Sequence, residues 1–329
     1  MFNLAGLERF IMNDASPIKS VDLEKAIQAL KSGNLVAFPT ETVYGLGADA
    51  TDVNSVRRIY SVKGRPTDHP LIIHVASMVG LNVWASEVPE YAIKLASTYW
   101  PGPMTLVLKR SGLAADFVTG GQNTVGLRVP NHAMALTLLE AFEKNGGKGI
   151  AAPSANRFGQ VSPTTADAVV GELGDYLSKG DVILDGGSCE VGIESTIIDC
   201  TGKAPLVLRP GAITVAMIEE CTGLRIADYE SEIRVSGSFE NHYAPVARVL
   251  LDSTPLSGQG FIAHTNIKTP EGVIRLASPD NDDEFAHILY SALRDADAQG
   301  LSEVVVLQPT GAGIALAIRD RLIRSANGR

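Results

Sequence analysis

Residues 35–75, LVAFPTETVYGLGADATDVNSVRRIYSVKGRPTDHPLIIHV, carry two short apolar runs separated by a polar stretch. LVAF (35–38) and LIIHV (71–75) have the length and the branched or aromatic content of buried strands. Between them TETVYGLGADA (40–50) reads as a loop and residues near 53–62 read as a helix. Strand, loop, helix and strand in that order predict an α/β fold.

The same alternation extends outward. Leu23, Ala26, Ile27 and Leu30 recur at helical spacing, with Ser20 placed to cap the start and Gly33 the end. Downstream, helices are predicted near 88–100 and 132–144, and strands at MTLVLK (104–109), TVGLRV (124–129), GIAA (149–152), DVILD (181–185), STIID (195–199) and PLVLR (205–209). Several of the later strands are separated by turns alone. That mixture predicts a twisted mixed β-sheet with flanking helices rather than a purely parallel, doubly wound one.

A short helix near 214–222 precedes a polar stretch, 223–246, that has no sustained period and contains Gly237 and Pro245, as a linker would. Beyond it ARVLL (247–251), GFIAH (260–264), GVIRL (272–276), a helix near 283–299, VVVL (304–307) and a helix near 312–325 predict a smaller C-terminal α/β domain of Rossmann-like build. The expected division is a catalytic domain at 1–215, a linker and lid at 216–246, and the small domain at 247–329. No internal repeat or low-complexity tract interrupts it.

A chain of 329 residues exceeds one ordinary hydrophobic core, which agrees with two units. Its 45% apolar and 20% charged content is that of a globular protein. Residues 1–215 hold 18 Lys and Arg against 21 Asp and Glu, and 216–329 hold 10 against 16, so the acidic excess is greater toward the C-terminus. An acidic chain without a basic run lacks the footprint of tight non-specific nucleic-acid binding, leaving at most a local basic cleft and weak RNA binding. Cys189, Cys200 and Cys221 form no C-x-x-C pair, so neither a disulfide framework nor a thiolate zinc site is indicated, and each reads as a packing residue. The opening segment MFNLAGLERFIMND carries Glu8, Arg9 and Asp14, unlike a signal peptide, and no apolar run reaches membrane-spanning length. A cytoplasmic protein with no membrane insertion is expected.

The familiar catalytic signatures are missing. There is no G-x-x-x-x-G-K-[ST], Gly45-Leu46-Gly47 lacks the third glycine of a dinucleotide fingerprint, and neither G-x-S-x-G nor H-E-x-x-H occurs. Instead, polar clusters follow or end the predicted strands, where open sheets present binding groups. PTETVYGLG (39–47) offers hydroxyls and close backbone approach, or serves as a plain connection. Lys63 and Arg65 straddle Gly64, with His69 and His74 following; the two cations suit a polyphosphate, or the C-terminal dipole of a helix. Arg128 in an otherwise apolar strand needs an anionic partner, either a substrate carboxylate or a protein acid. Thr124, Ser154, Asn156 and Ser162 add polar groups nearby, with Ser154 and Asn156 equally suited to capping and turns. GIESTIID (192–199) and VLRPGA (207–212) place Ser195 at a strand start and Arg209 at a strand end, and His132 reads as a surface residue at a helix start.

Taken in order, PTETVYGLG, K-G-R, WPGPMTLVL, TVGLRVP, APSAN, SPT, GIESTI, LRPG and NHYAP resemble the threonylcarbamoyl-adenylate synthase family with its YrdC-like fold, in its longer two-domain form. The resemblance covers residues 20–245 and implies formation of threonylcarbamoyl-AMP and pyrophosphate from L-threonine, bicarbonate and ATP, with Mg2+ accompanying the ATP on ligands it does not name. It implies Lys63 and Arg65 in catalysis, and Thr42, His74, Arg128, Ala152 (through its backbone) and Ser195 around threonine. Around the nucleotide it implies Arg65, His69, Thr124, Ser154, Asn156, Ser162, Arg209 and Tyr243. It further implies a downstream tRNA threonylcarbamoyl transferase machinery as partner, and a HYAP segment closing over the site. Asn241, where many two-domain members have a basic residue, departs from the pattern. The rival expectations are an RNA-binding module without ATP turnover, and a carbamoyl transferase of the hydrogenase-maturation type, whose zinc-finger and acylphosphatase-like segments this chain lacks.

Overall fold

The computed structural model describes residues 20–228, 231–237 and 242–328; the opening segment and Asn241, on which two expectations rest, lie outside them. The chain begins with α1 (Ser20–Lys31), β1 (Val36–Phe38), β2 (Gly45–Asp49), α2 (Val53–Lys63) and β3 (Ile72–His74). It continues through α3 (Val79–Trp84), β4 (Ala85–Glu87), α4 (Glu90–Tyr99), β5 (Met104–Arg110), α5 (Asp116–Thr119) and β6 (Thr124–Arg128). Then follow α6 (Ala133–Lys144), β7 (Ile150–Ala151), α7 (Ala166–Leu173), β8 (Val182–Ile183), β9 (Thr196–Asp199), β10 (Leu206–Arg209) and α8 (Val215–Thr222).

These strands form one ten-stranded sheet ordered β10-β9-β5-β6-β3-β7-β2-β1-β8, with β4 paired to β5. It is mixed as expected: β3 with β6, β5 with β9 and β1 with β8 run parallel, while β1 with β2 and β5 with β6 run antiparallel. The period of two in a strand separates its faces. Leu35 and Ala37 enter a core with Leu46, Ile59, Ile73 and Leu127, whereas Val36 and Phe38 face Ala26, Leu30, Leu138 and Phe142 from α1 and α6. Each large apolar side chain so buried contributes ~1.5–3 kcal/mol, which is why three-residue strands hold a sheet of this width.

Local chemistry sets the helix that carries Lys63. Asp52 caps α2 by accepting from the Asn54 and Ser55 N–H groups, and Gly64 ends it at φ 63°, donating to Ser61 and Tyr60 carbonyls.

Two sequence expectations are corrected. GLGAD is strand β2, not loop: a Cβ on Gly47 would lie 2.6 Å from Ile150 Cγ2 and 2.9 Å from Phe38, so glycine is what lets β1, β2 and β7 close up, against its ordinary strand propensity. His132 starts a helix but is not a surface residue. It is buried, and its Nδ1 accepts from the Met134 N–H at 3.2 Å, capping α6 from within. Helix α3 runs directly into β4, which pairs antiparallel with β5, an addition to the elements read from sequence.

Beyond α8 the chain crosses the sheet. The Ala227 N–H donates to Pro205 O, the Arg234 N–H to Gln122 Oε1, and Val235 packs on Val107 and Ile197. The second unit comprises β11 (Arg248–Leu251), β12 (Gly260–Ile262), β13 (Ile274–Ala277), α9 (Asp282–Ala298), β14 (Glu303–Val306) and α10 (Ile314–Ala326). Its four strands are all parallel, ordered β11-β14-β12-β13. Phe285, Leu289 and Leu322 from its helices share one core with Val43, Val161, Ile193 and Tyr243, so α9 and α10 pack against loops of the first unit.

Candidate active site

Those loops surround a narrow cavity at the strand ends of the mixed sheet. The turn between β1 and β2 forms one wall. Thr40 Oγ1 donates to Val43 O, shares a 2.8 Å hydrogen bond with Thr42 Oγ1, and accepts from the Thr42 and Val43 N–H groups, so one hydroxyl fixes the turn and sets Thr42 into the cavity. Because β3 and β6 run parallel in register, His74 and Arg128 end side by side.

Arg128 and Glu41 are both buried, and Arg128 Nη2 donates to Glu41 Oε2 at 2.6 Å. The protein acid that the sequence left as one of two partners is therefore present, and Glu41 Oε1 has no hydrogen-bond partner. Burial, with Arg128 adding to it, pulls His74 down to about 3, so the imidazole is neutral at physiological pH. Ser195 shares a 2.8 Å hydrogen bond with Thr105 Oγ1.

Two more guanidinium groups converge on Ser236. Arg65 Nη2 donates to Pro70 O and Ser236 Oγ, while Arg209 donates through Nη1 to Ser236 O and through Nε and Nη2 to Ser195 O. Burial lowers Arg65 to about 10 and lowers Arg209 as well, yet both remain cationic at neutral pH. Two arginines crowded together without a carboxylate hydrogen-bonded to either are prepared for an added anion. Tyr243, at a left-handed φ of 63°, and His242 close the cavity, their rings 4.2 Å apart.

Of the residues singled out from sequence, Thr42, Arg65, His74, Arg128, Ala152, Ser154, Ser195, Arg209 and Tyr243 line this cavity. The Ala152 N–H is already given to Ile72 O. Lys63, Asn156 and Ser162 stand behind the wall. Lys63 Nζ donates to the carbonyls of Ser154, at 2.6 Å, and Asn156; Asn156 Nδ2 donates to Arg157 O and Gln160 O. His69 packs near Phe158, and Thr124 lines an adjoining groove with Val107, Gly126 and Val235 that shares Ile72 and Ser236 with the cavity wall.

Sequence reasoning missed Glu41 and Glu194. The only signal was their place inside TET and IES, beside residues already selected. A wider open groove lies near Lys109 and Arg110, but Glu87 and Asp116 engage those cations, and apart from Thr124 at its edge the groove holds none of the residues singled out from sequence and none that line the cavity.

Among the described residues no group of three or more His, Cys, Asp and Glu side chains is placed to hold a metal ion. Glu194, the carboxylate that lines the cavity, is engaged by Arg321, and Glu41 behind Arg128 is engaged by that arginine, so the described residues do not fit a protein-held magnesium centre. Burial raises the Cys189 and Cys200 thiols, which removes any resident thiolate nucleophile there. No helix among the described residues is long and apolar enough to cross a membrane.

A mixed α/β sheet with three buried guanidinium groups and a set of fixed hydroxyls around one cavity defines a protein that aligns small anionic reactants by charge and hydrogen bonding. The family described as "Telomere recombination" matches residues 28–211, and that described as "Threonylcarbamoyl-AMP synthase, C-terminal domain" matches 213–327. The threonylcarbamoyl-AMP synthase of Pyrococcus abyssi is 41% identical, covering 97% of both chains, and that of Bacillus subtilis is 35% identical, covering 93% of both. The crystal structure of P. abyssi Sua5 complexed with L-threonine superposes with a TM-score of 0.85 at 37% identity, over 95% of this chain and 96% of that one. The chain belongs to the threonylcarbamoyl-AMP synthase family of enzymes.

Proposed function

We propose that this chain forms L-threonylcarbamoyladenylate and pyrophosphate from L-threonine, bicarbonate and ATP, an adenylyl transfer that supplies threonylcarbamoyladenosine modification of tRNA. The observation that supports it is the division of cations within one cavity: Arg128 is held apart by Glu41, while Arg65 and Arg209 share Ser236. One guanidinium suits the threonine carboxylate, with Thr42, His74 and Ser195 around it; the pair suits the triphosphate. The relative's complex with L-threonine supports threonine as a substrate.

The threonine amine adds to the carbon of bicarbonate, and water leaves to give a carbamate. A carbamate oxygen then attacks the α-phosphorus of ATP, and the bond to the β-phosphate oxygen breaks with its electron pair passing to pyrophosphate. Arg65 and Arg209 offset the charge that grows on that leaving group. Lys63 contributes by holding the Ser154 and Asn156 carbonyls, so that Ser154 keeps its place in the wall. Magnesium enters with ATP on phosphate oxygens and water as part of the substrate. The reaction belongs in the cytoplasm, and its product passes to a transferase machinery acting on tRNA.

Incubation with ATP, magnesium, L-threonine and 13C-bicarbonate, followed by mass spectrometry, tests this reading. A threonylcarbamoyl adenylate carrying the label is the expected product; unlabelled AMP alone would contradict it.

A further inference from the structure

Glu194 lines the cavity, yet two of its side-chain partners come from the C-terminal unit. Its Oε1 accepts from Ser162 Oγ at 2.6 Å, and its Oε2 accepts from Arg321 Nε at 2.8 Å and Tyr290 OH at 2.9 Å. Arg321 lies on α10 and Tyr290 on α9, both in the C-terminal unit, and each is 0% exposed. Arg321 Nη1 is also paired with Asp320, and its guanidinium lies 5.5 Å over the Tyr243 ring. Ser325, one turn on along α10, donates to Tyr243 O at 2.7 Å. The second unit thus reaches the back of the cavity with donors at two points.

A carboxylate in this position is a hazard to a phosphate site. Glu194 lines the same cavity as Arg65, Arg209, His242 and Tyr243. Burial opposes its ionisation, but Arg321 foremost and then Arg209 outweigh that and hold it near 2, so it is anionic at any working pH. Left without Arg321, the buried anion would draw on Arg209, the other guanidinium that acts on it, and would face an incoming triphosphate.

We propose that Arg321 and Tyr290 are positioning residues for the nucleotide: by engaging Glu194 from the C-terminal unit they leave Arg209 available to phosphate, so the second unit completes the site. The inference rests on the functional reading above. Arg321 does not itself line the cavity and reaches it by its hydrogen bond to Glu194 and its place over the Tyr243 ring, which separates it from the residues that face the reactants.

The test is equilibrium binding of magnesium-ATP and, separately, of L-threonine to the full chain, for the wild type, Arg321→Met and the double variant Glu194→Gln/Arg321→Met. Arg321→Met is expected to weaken ATP binding by about tenfold or more while threonine binding stays within about threefold. The double variant, which removes the stranded charge, is expected to regain most of the ATP affinity. A general structural role for Arg321 would weaken threonine binding together with ATP binding, whichever residue stands at 194. ATP affinity unchanged in Arg321→Met, or a folded double variant no tighter than the single one, would overturn the inference. If Arg321→Met does not fold, Tyr290→Phe removes a single hydroxyl and is expected to weaken ATP by a few-fold; no change there would overturn the inference equally. A wild-type chain that binds neither ligand would overturn the functional reading, and the inference with it.

Discussion

Arg128 Nη2 and Glu41 Oε2 meet at 2.6 Å with both side chains buried, and the pair joins the end of β6 to the turn that presents Thr42. One edge of the guanidinium is thereby spent on the protein. Glu41 fixes the direction in which the rest of Arg128 can meet a substrate carboxylate.

Removing one member of this pair should cost more than removing both. Arg128→Met strands Glu41 and is expected to lower stability by ~3–5 kcal/mol, whereas Glu41→Gln/Arg128→Met should recover much of that loss. Neither variant should bind threonine. Urea unfolding and a threonine titration check the two halves; a double variant that binds threonine normally would remove Arg128 from the site.

Lys63 should matter through the wall it holds. Lys63→Met deletes the donor to the Ser154 and Asn156 carbonyls without adding a charge. Turnover is expected to fall by about a hundredfold with threonine affinity nearly kept, since leaving two buried carbonyls without their donor costs about 3 kcal/mol. Steady-state kinetics and threonine binding decide it, and undiminished turnover would exclude the role.

Acid should destabilise the fold beginning below neutrality. Burial holds His74 and His242 at about 3 against an ordinary 6.5, so between those values the unfolded chain binds protons that the folded chain refuses. Glu194, near 2 against 4.5, acts in the same direction at lower pH. Stability is thus complete above about pH 6.5 and falls as pH drops, by about 1.4 kcal/mol per unit for each histidine within the window. Unfolding free energies measured from pH 7 to 4 check this; a flat profile would contradict it.

Gly47→Ala should destabilise by ~1–3 kcal/mol, because the added methyl meets Ile150, Phe38 and the Val36 carbonyl at 2.6, 2.9 and 3.1 Å. Gly121→Ala would not serve as a matched control, since Gly121 has φ 77°; Gly171, within α7 and with nothing within 4 Å, does. A thermal melt of Gly47→Ala indistinguishable from wild type would count against the close packing of β1, β2 and β7.

The strands, their mixed sheet and the cluster positions at strand ends were legible because short apolar runs and turn residues report local burial directly. GLGAD was not, since its strand state depends on Phe38 and Ile150 closing over Gly47, a contact no local window contains. Arg128 announced itself as a charge in an apolar strand, and the need for a partner followed from physics alone. Which partner it found did not, because Glu41 is 87 residues away in sequence. Glu194 and Arg321 are 127 residues apart, and Arg321 in an amphipathic helix rich in arginine looks like any solvated charge until the two units are packed together.

The most direct test of the account is pyrophosphate release from magnesium-ATP by the purified chain, with L-threonine and bicarbonate supplied together, each omitted in turn, and L-serine substituted for threonine. Release that requires both substrates and falls with serine is the predicted result. Release independent of threonine, or none from a folded chain that binds ATP, would contradict the account.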